Sequence, residues 1–331
     1  MQEYEKNILE RYKIDTCSTR KVRGAVLCDT DQGLFLLSEV FAPRSRILAL
    51  CELYDHLERQ GYNGLDRLLP NAEGEYITVL EDGKKYVMRQ WFRSRECDFR
   101  KPSELLEAAG NLAKLHMIMR VEISFVPAAE HLEKEYQRHD RELRKVRKFI
   151  RSMTSKGVFE LAFLEHFDEM YQWTEIAGDL LRQSDYDRLW RESIDCHCLV
   201  HGEYNYHNIL MGCDDVRRES DIIATTHFDR FRQNIQVEDL YYFLRKVMEK
   251  HGWKERLGDS MLNAYSAIRP LSSEEMRYLK IRLIYPEKFW KIANSYYHSN
   301  KAWISIKNIE KLNTAIRQTK EKEKFIENIF W

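Results

Sequence analysis

The apolar positions change their period along the chain, and the change divides it into two kinds of structure. Ile8 and Leu9 mark a short helical stretch over 4–12. Two apolar runs follow, 24–28 (GAVLC) and 34–37 (LFLL), around the turn residues DTDQG, and this spacing predicts a hairpin. Pro43 closes that section, a helix is expected over 47–60, and Gly61 stops it. The runs 75–80 and 85–88 flank Glu81-Asp82-Gly83, an Asp-Gly turn signal, and predict a second hairpin. Strands, one helix and more strands suit a small antiparallel sheet crossed by a helix.

After residue 92 the period becomes helical. Leu105, Ala109, Leu112, Leu115 and His116 share one face. Residues 130–183 read as two long charged helices broken near Ser155-Lys156-Gly157. Short apolar runs lie within 199–211 and at Ile222-Ile223-Ala224. Leu240, Phe243, Leu244, Val247 and Met248 then repeat at i, i+3, i+4, i+7 and i+8, an amphipathic helix. Ser272 and Glu275 form a capping-box pattern that opens another helix, which Pro286 ends. The tail from Phe289 is helical, with Trp290, Tyr296, Tyr297 and Trp303 as apolar anchors.

Composition narrows the class. The 331 residues are 44% hydrophobic and 32% charged, with only 6 Pro and 13 Gly, which fits a globular, helix-leaning chain and not a disordered one. Lys plus Arg and Asp plus Glu are both 53, so no global field favours nucleic acid or an anionic membrane surface. The first residues carry no apolar signal-peptide core, and no apolar run approaches about eighteen residues, the length a spanning helix needs. Synthesis in the cytoplasm is therefore expected. Seven scattered Cys do not suggest a disulfide framework. Cys196-His197-Cys198 with His201 could suggest zinc, but a Cys-x-Cys in a strand without a second pair reads better as buried reduced thiols. The basic stretch from Arg138 to Arg151, interleaved with acids, reads as a solvated helix face. Seven Trp and 18 Tyr fit either a core or an interface.

The candidate chemistry lies in LVHGEYNYHNIL, 199–210. Phosphoryl transfer needs an acid near the acceptor hydroxyl, an Asn and an Asp for magnesium, and a Lys against the phosphates. His201-Gly202-Glu203 followed by Asn208 places a carboxylate and an amide at the two ends of one tight loop. A second element, 221–230, ends in His227-Phe228-Asp229 at the distance expected for the other metal ligand. This pattern resembles the aminoglycoside phosphotransferase-like kinases and, within them, the CotS-like spore-coat proteins. The segments 30–40, 93–116, 199–210, 227–253 and 285–303 carry the resemblance, and Asp239-Leu240 with the following FLRK run is its most specific piece.

The resemblance implies an α+β, two-lobed kinase-like fold: an N-lobe over 1–92 and a helical C-lobe over 93–331 that holds the loop 199–211 and the metal strand 221–230. It also implies a spore-coat location and other coat proteins as partners. Three positions depart from the pattern. Glu203 replaces the base Asp, and a shift of about an ångström costs about a hundredfold in rate. His227 replaces the metal Asp, although magnesium wants oxygen ligands. Ser38 stands where the sheet Lys belongs, and Glu52, a possible partner of that Lys, is left without it. His201, Asn208 and Asp239 remain, and hydrogen bonding to backbone can explain their spacing. The expected function is therefore a pseudokinase acting as a structural or interaction component of the coat. The alternative is a divergent phosphotransferase with Glu203 as base and Asn208 with Asp229 on the metal. A third reading is nucleotide binding without transfer. ATP and magnesium are cofactors only if the site is competent.

Overall fold

The computed structural model describes residues 3–212, 223–299 and 306–330. In chain order the first elements are α1 (Glu3–Glu10), β1 (Thr16–Val22), β2 (Ala25–Thr30), β3 (Gly33–Glu39) and α2 (Arg44–Arg59). Next come β4 (Leu68–Leu69), β5 (Thr78–Val79), β6 (Lys85–Gln90), β7 (Arg95–Glu96) and α3 (Pro102–Ile118). The middle of the chain gives α4 (Leu132–Ser152), α5 (Val158–Arg182), α6 (Tyr186–Asp195), β8 (Leu199–Val200), β9 (Ile209–Met211), β10 (Ala224–Thr225) and β11 (Arg232–Gln233). The remainder is helical: α7 (Val237–His251), α8 (Glu255–Ser266), α9 (Ser273–Ile284), α10 (Glu287–Tyr297), α11 (Ile306–Arg317) and α12 (Thr319–Ile329). This is the two-lobed kinase-like α+β order, a small antiparallel sheet followed by a large helical part. By packing, the chain divides into two compact units, Met1–Pro127 with Leu199–Gln233, and Ala128–Cys198 with Asn234–Trp331.

The first unit is built on an antiparallel sheet ordered β1-β2-β3-β6-β4, with β5 also on β6. The expected hairpin is β2–β3, with Cys28 opposite Phe35. The polar TCSTRKV segment adds a strand, β1, that the apolar pattern did not signal; it pairs β2 across a turn at Arg23-Gly24. The second expected hairpin is shorter than 75–80 suggests, because only Thr78–Val79 pairs with β6. Cys28, Phe35, Leu37 and Met88 pack with Ile8, Leu9 and Tyr12, so α1 covers one sheet face. Leu36 and Ser38 alternate onto the opposite face, which they share with Val87 and Arg89, their partners in register.

In the second unit α4 and α5 run as the sequence predicts, broken at 153–157. Their core with α10 and α11 is aromatic. Phe163 stacks on Phe289 at 5.1 Å and meets Phe167 edge-on. Many of the Tyr residues prove to be core: Tyr54, Tyr204, Tyr241, Tyr265 and Tyr285 are fully buried. The Ser272–Glu275 capping box forms as written, with reciprocal bonds of 3.1 and 3.0 Å. Along α4 the basic stretch is outward: Arg141, Arg144, Lys145, Lys148 and Arg151 are exposed, and Arg147 pairs with Asp168. Cys196 and Cys198 do not share a strand face, because Cys196 ends α6 and His197 takes a left-handed turn before β8 begins. Trp303, Asp221 and Ile222 lie outside the described residues.

A second small sheet, β10-β9-β7, carries the loop that matters for function. Its outer strand is clamped by Glu104 in the first turn of α3. Both Arg95 guanidinium nitrogens donate to the Glu104 carboxylate at 2.7 Å, and the Asp98 N–H adds a third bond at 2.9 Å. The Arg95 hydrogen bonds hold the Glu104 carboxyl down at about 2 against its burial. The unfolded chain therefore takes up this proton first, and the stabilisation is complete above the ordinary carboxyl value and fades as pH falls toward 2. Glu104→Gln should cost about 1.5–3 kcal/mol at neutral pH and flatten the acid limb of a stability–pH curve measured by urea unfolding. Equal acid limbs in both proteins would refute this role.

Candidate functional site

The loop between β8 and β9 is fixed by bonds within the first unit. His201 is fully buried and accepts the Glu203 N–H at Nδ1, 3.1 Å, while Nε2 lies 2.9 Å from the Thr226 carbonyl. The second contact assigns the proton to Nε2, so the ring is a neutral brace between two chain segments. Gly202 has φ +85°, and a Cβ there would stand 2.3 Å from the Arg230 carbonyl oxygen, so the loop requires glycine. Asn208 donates from Nδ2 to the Glu203 carbonyl at 3.0 Å, and Asn205 donates to the same oxygen at 2.7 Å. Beneath the loop, Asn111 joins the Tyr204 hydroxyl and Thr225, and Tyr62 also reaches Thr225.

The segment after β10 does not continue as a strand. Thr226 is the last extended residue, His227 takes a left-handed conformation (φ 63°), and Phe228–Arg230 form a 3-10 turn. Strand alternation therefore does not set the faces of His227 and Asp229, because the expected metal strand 221–230 ends before them. The turn instead brings His227 Nδ1 to 3.8 Å from Asp229 Oδ2. Burial disfavours a charged His227, but Asp229 and Asp66 outweigh it and raise its pKa.

Two residues absent from the sequence reading organise this turn. Arg89 on β6 is buried between Asp66, at 3.2 Å, and Asp229, which it also bonds. Asp66 is completely buried, accepts the Tyr54 hydroxyl from α2 at 2.6 Å, and takes the His227 N–H at 3.0 Å. Burial disfavours the Arg89 charge, yet Asp229 and Asp66 hold its pKa above the ordinary value, and Asp229 is correspondingly held well below the carboxylate range. Arg46 of α2 donates to the Asp229 and Phe231 carbonyls and stacks on the Phe231 ring at 3.8 Å.

The candidate residues thus separate. Glu203, Asn208, His227 and Asp229 come together with Arg89 and Asp66. Ser38 lies on the same sheet face as Arg89, two residues along in register, so the cation that Ser38 lacks is present on the neighbouring strand. Glu203 meets Arg230 at 3.2 Å. Glu52 is not brought in: its carboxylate is exposed and accepts the Ser124 N–H at 3.2 Å, because α2 turns Tyr54 inward and Glu52 outward. Asp239 is buried in the first turn of α7, in the other unit. Arg89 was hidden because a charge near the end of a short strand normally reads as surface; the one signal was its place directly after the buried Val87-Met88 pair.

The fold is the kinase-like fold of solved aminoglycoside phosphotransferases. A crystal structure of an aminoglycoside phosphotransferase from Alicyclobacillus acidocaldarius subsp. acidocaldarius DSM 446 superposes with a TM-score of 0.83 over 97% of this chain and 93% of that one, at 17% identity. A spectinomycin phosphotransferase in complex with ADP and spectinomycin gives 0.62 over 98% and 99%, at 11% identity. The chain belongs to the family described as "Spore coat putative kinase YutH", which matches residues 5–329. It is also 25% identical over 174 residues to spore coat protein S of Bacillus subtilis (strain 168), spanning 52% of this chain and about half of that relative, 48%.

Removing Arg89 leaves the fully buried Asp66 carboxylate without its cation, beside a partly exposed Asp229. Arg89→Met should therefore destabilise the protein by about 3–5 kcal/mol, read from urea unfolding midpoints. A loss under about 1 kcal/mol would show that Asp66 and Asp229 do not depend on it.

Proposed function

We propose that this chain is a divergent phosphotransferase of the spore coat, with Glu203 as the base that takes the proton from an acceptor hydroxyl. The observation that carries the reading is the brace from Asn208 Nδ2 to the Glu203 carbonyl. It closes the loop through the Glu203 backbone, so the Glu203 carboxylate and the Asn208 amide are carried at the two ends of one turn that His201 and Gly202 also fix. The nucleotide class follows the spectinomycin phosphotransferase solved with ADP. The coat location follows the family description and spore coat protein S. Among the described residues no helix is long and apolar enough to cross a membrane.

The donor set suits magnesium at two atoms. Asn208 commits Nδ2 and keeps Oδ1, and Asp229 gives Oδ1 to Arg89 while its Oδ2, facing His227 at 3.8 Å, is the oxygen a metal would have to share. Both are the hard oxygen donors that magnesium prefers, whereas His227 is not. When bound, the ion would neutralise phosphate charge. The protein's own residues do the rest: Glu203 accepts the proton, and Arg89 fixes Asp229 in place from behind.

The expectation from sequence put loss of the reaction first. The retained loop, with Glu203 and Asn208 at its two ends, favours the other order. The scaffold reading keeps one specific support: Arg89 and His227 place protein cations beside Asp229, where an enzyme would keep the carboxylate for metal.

The test is magnesium-dependent ATP turnover by the full chain. Turnover should fall about 10²–10⁴-fold in Glu203→Gln. The melting temperature should hold, because the Glu203–Arg230 pair is largely exposed and such pairs contribute little. No turnover, with no magnesium-dependent thermal shift at millimolar ATP, would reject the enzyme and leave the scaffold.

A further inference from the structure

The second unit holds a cluster that the phosphotransferase reading does not use. Glu135 and His139 are one helical turn apart on α4, and Glu287 opens α10. One carboxylate oxygen from each Glu and one ring nitrogen of His139 all lie within 4.8 Å of one another. His139 is 2% exposed and Glu287 6%. His139 Nδ1 and Glu287 Oε2 are buried with no hydrogen-bond partner among the described residues. Buried polar atoms without a partner are costly, and here they belong to two of the three residues whose ligand atoms converge.

The surroundings pre-set the geometry. The His139 ring stacks on Trp290 at 3.4 Å, and the Trp290 indole N–H is held by Glu142 at 2.8 Å, so the imidazole cannot turn freely. Arg282 donates to Glu135 at 3.1 Å and to Glu238 at 2.7 Å, which fixes the first carboxylate. Burial lowers the His139 pKa to about 4, leaving the ring neutral with a lone pair. Burial pushes Glu287 up, but Lys291, Arg282 and Arg245 outweigh it and hold it at about 2, so it is a carboxylate. One imidazole and two carboxylates form a mixed nitrogen–oxygen set, which suits zinc or manganese better than magnesium.

We propose that Glu135, His139 and Glu287 form a divalent transition-metal site that ties α4 to α10. The neighbouring cations oppose it, and Lys291 opposes it most directly, at 2.8 Å from Glu287. Lys291 is also the one that can leave, since its side chain is 46% exposed and can swing into water when a metal enters.

The experiment uses the full chain, stripped with chelator and titrated with zinc and separately with manganese. Binding is read by calorimetry, and stability by thermal unfolding. One of the two metals should bind at one equivalent and raise the melting temperature. The effect should be lost in His139→Ala and in Glu287→Gln, each checked for a native circular dichroism spectrum. Lys291→Met, which removes no ligand, should tighten binding several-fold. Asn208→Ala, in the other unit, should leave it unchanged, which separates this site from the proposed reaction. No binding by either metal overturns the proposal. So does binding that survives both ligand variants, or that ignores Lys291→Met, since a water in the cavity would account for the orphaned atoms. If both ligand variants misfold, the Lys291→Met affinity decides.

Discussion

The guanidinium of Arg89 is the constraint on which the rest of the first unit's site depends. A buried charge is tolerated only when it is paired and hydrogen-bonded. Arg89 meets that condition with two carboxylates that belong to different parts of the chain. Asp66 precedes β4 and also takes bonds from Tyr54 of α2 and from the His227 backbone. Asp229 belongs to the 3-10 turn after β10. One interaction therefore joins the sheet, the helix across it and the turn that follows the loop strands. Deleting Arg89 would leave the buried Asp66 carboxylate without its cation, so the three parts are coupled through this one side chain.

Much of this architecture was legible in the sequence because the periods were clean. The break at 153–157, the capping box at Ser272 and the repeat from Leu240 to Met248 each state their structure locally. β1 was not legible, since TCSTRKV alternates without large apolar residues and is held by pairing to β2. The site was legible in part. His201 and Asn208 gave the loop because their hydrogen bonds close over a few residues. Asp66 and Arg89 gave nothing, because their partners lie 23 and 140 residues apart in sequence. A short strand was also assumed to run through His227, and a left-handed residue cannot be read from a histidine alone.

The two units handle buried charge in contrasting ways. In the first, Arg89 closes its charges among Asp66, Asp229 and Tyr54, with every named group bonded. In the second, Arg282 binds Glu135 and Glu238 and lies over Tyr241, yet its Nε, with His139 Nδ1 and Glu287 Oε2, stays without a partner. In the first network those four groups are paired, although Arg46 Nη1 beside the turn has no partner among the described residues. The second has spare donors and acceptors, the condition a ligand or ordered water can satisfy.

Charge balance also constrains what the loop can accept. Glu203, Asp66 and Asp229 face Arg230, Arg89, Arg46 and a His227 biased toward its charged form. The protein cations match or exceed the carboxylates. A bare divalent ion entering this setting meets an Asp229 already engaged by a guanidinium, and would have to share it. An anion such as a nucleotide phosphate meets the opposite balance, with cations on three sides of the turn. If the chain is a phosphotransferase, Arg89 acts behind Asp229 and not on phosphate, and Asn208 and Asp229 would hold a magnesium ion that supplies the charge neutralisation the missing Lys of β3 cannot.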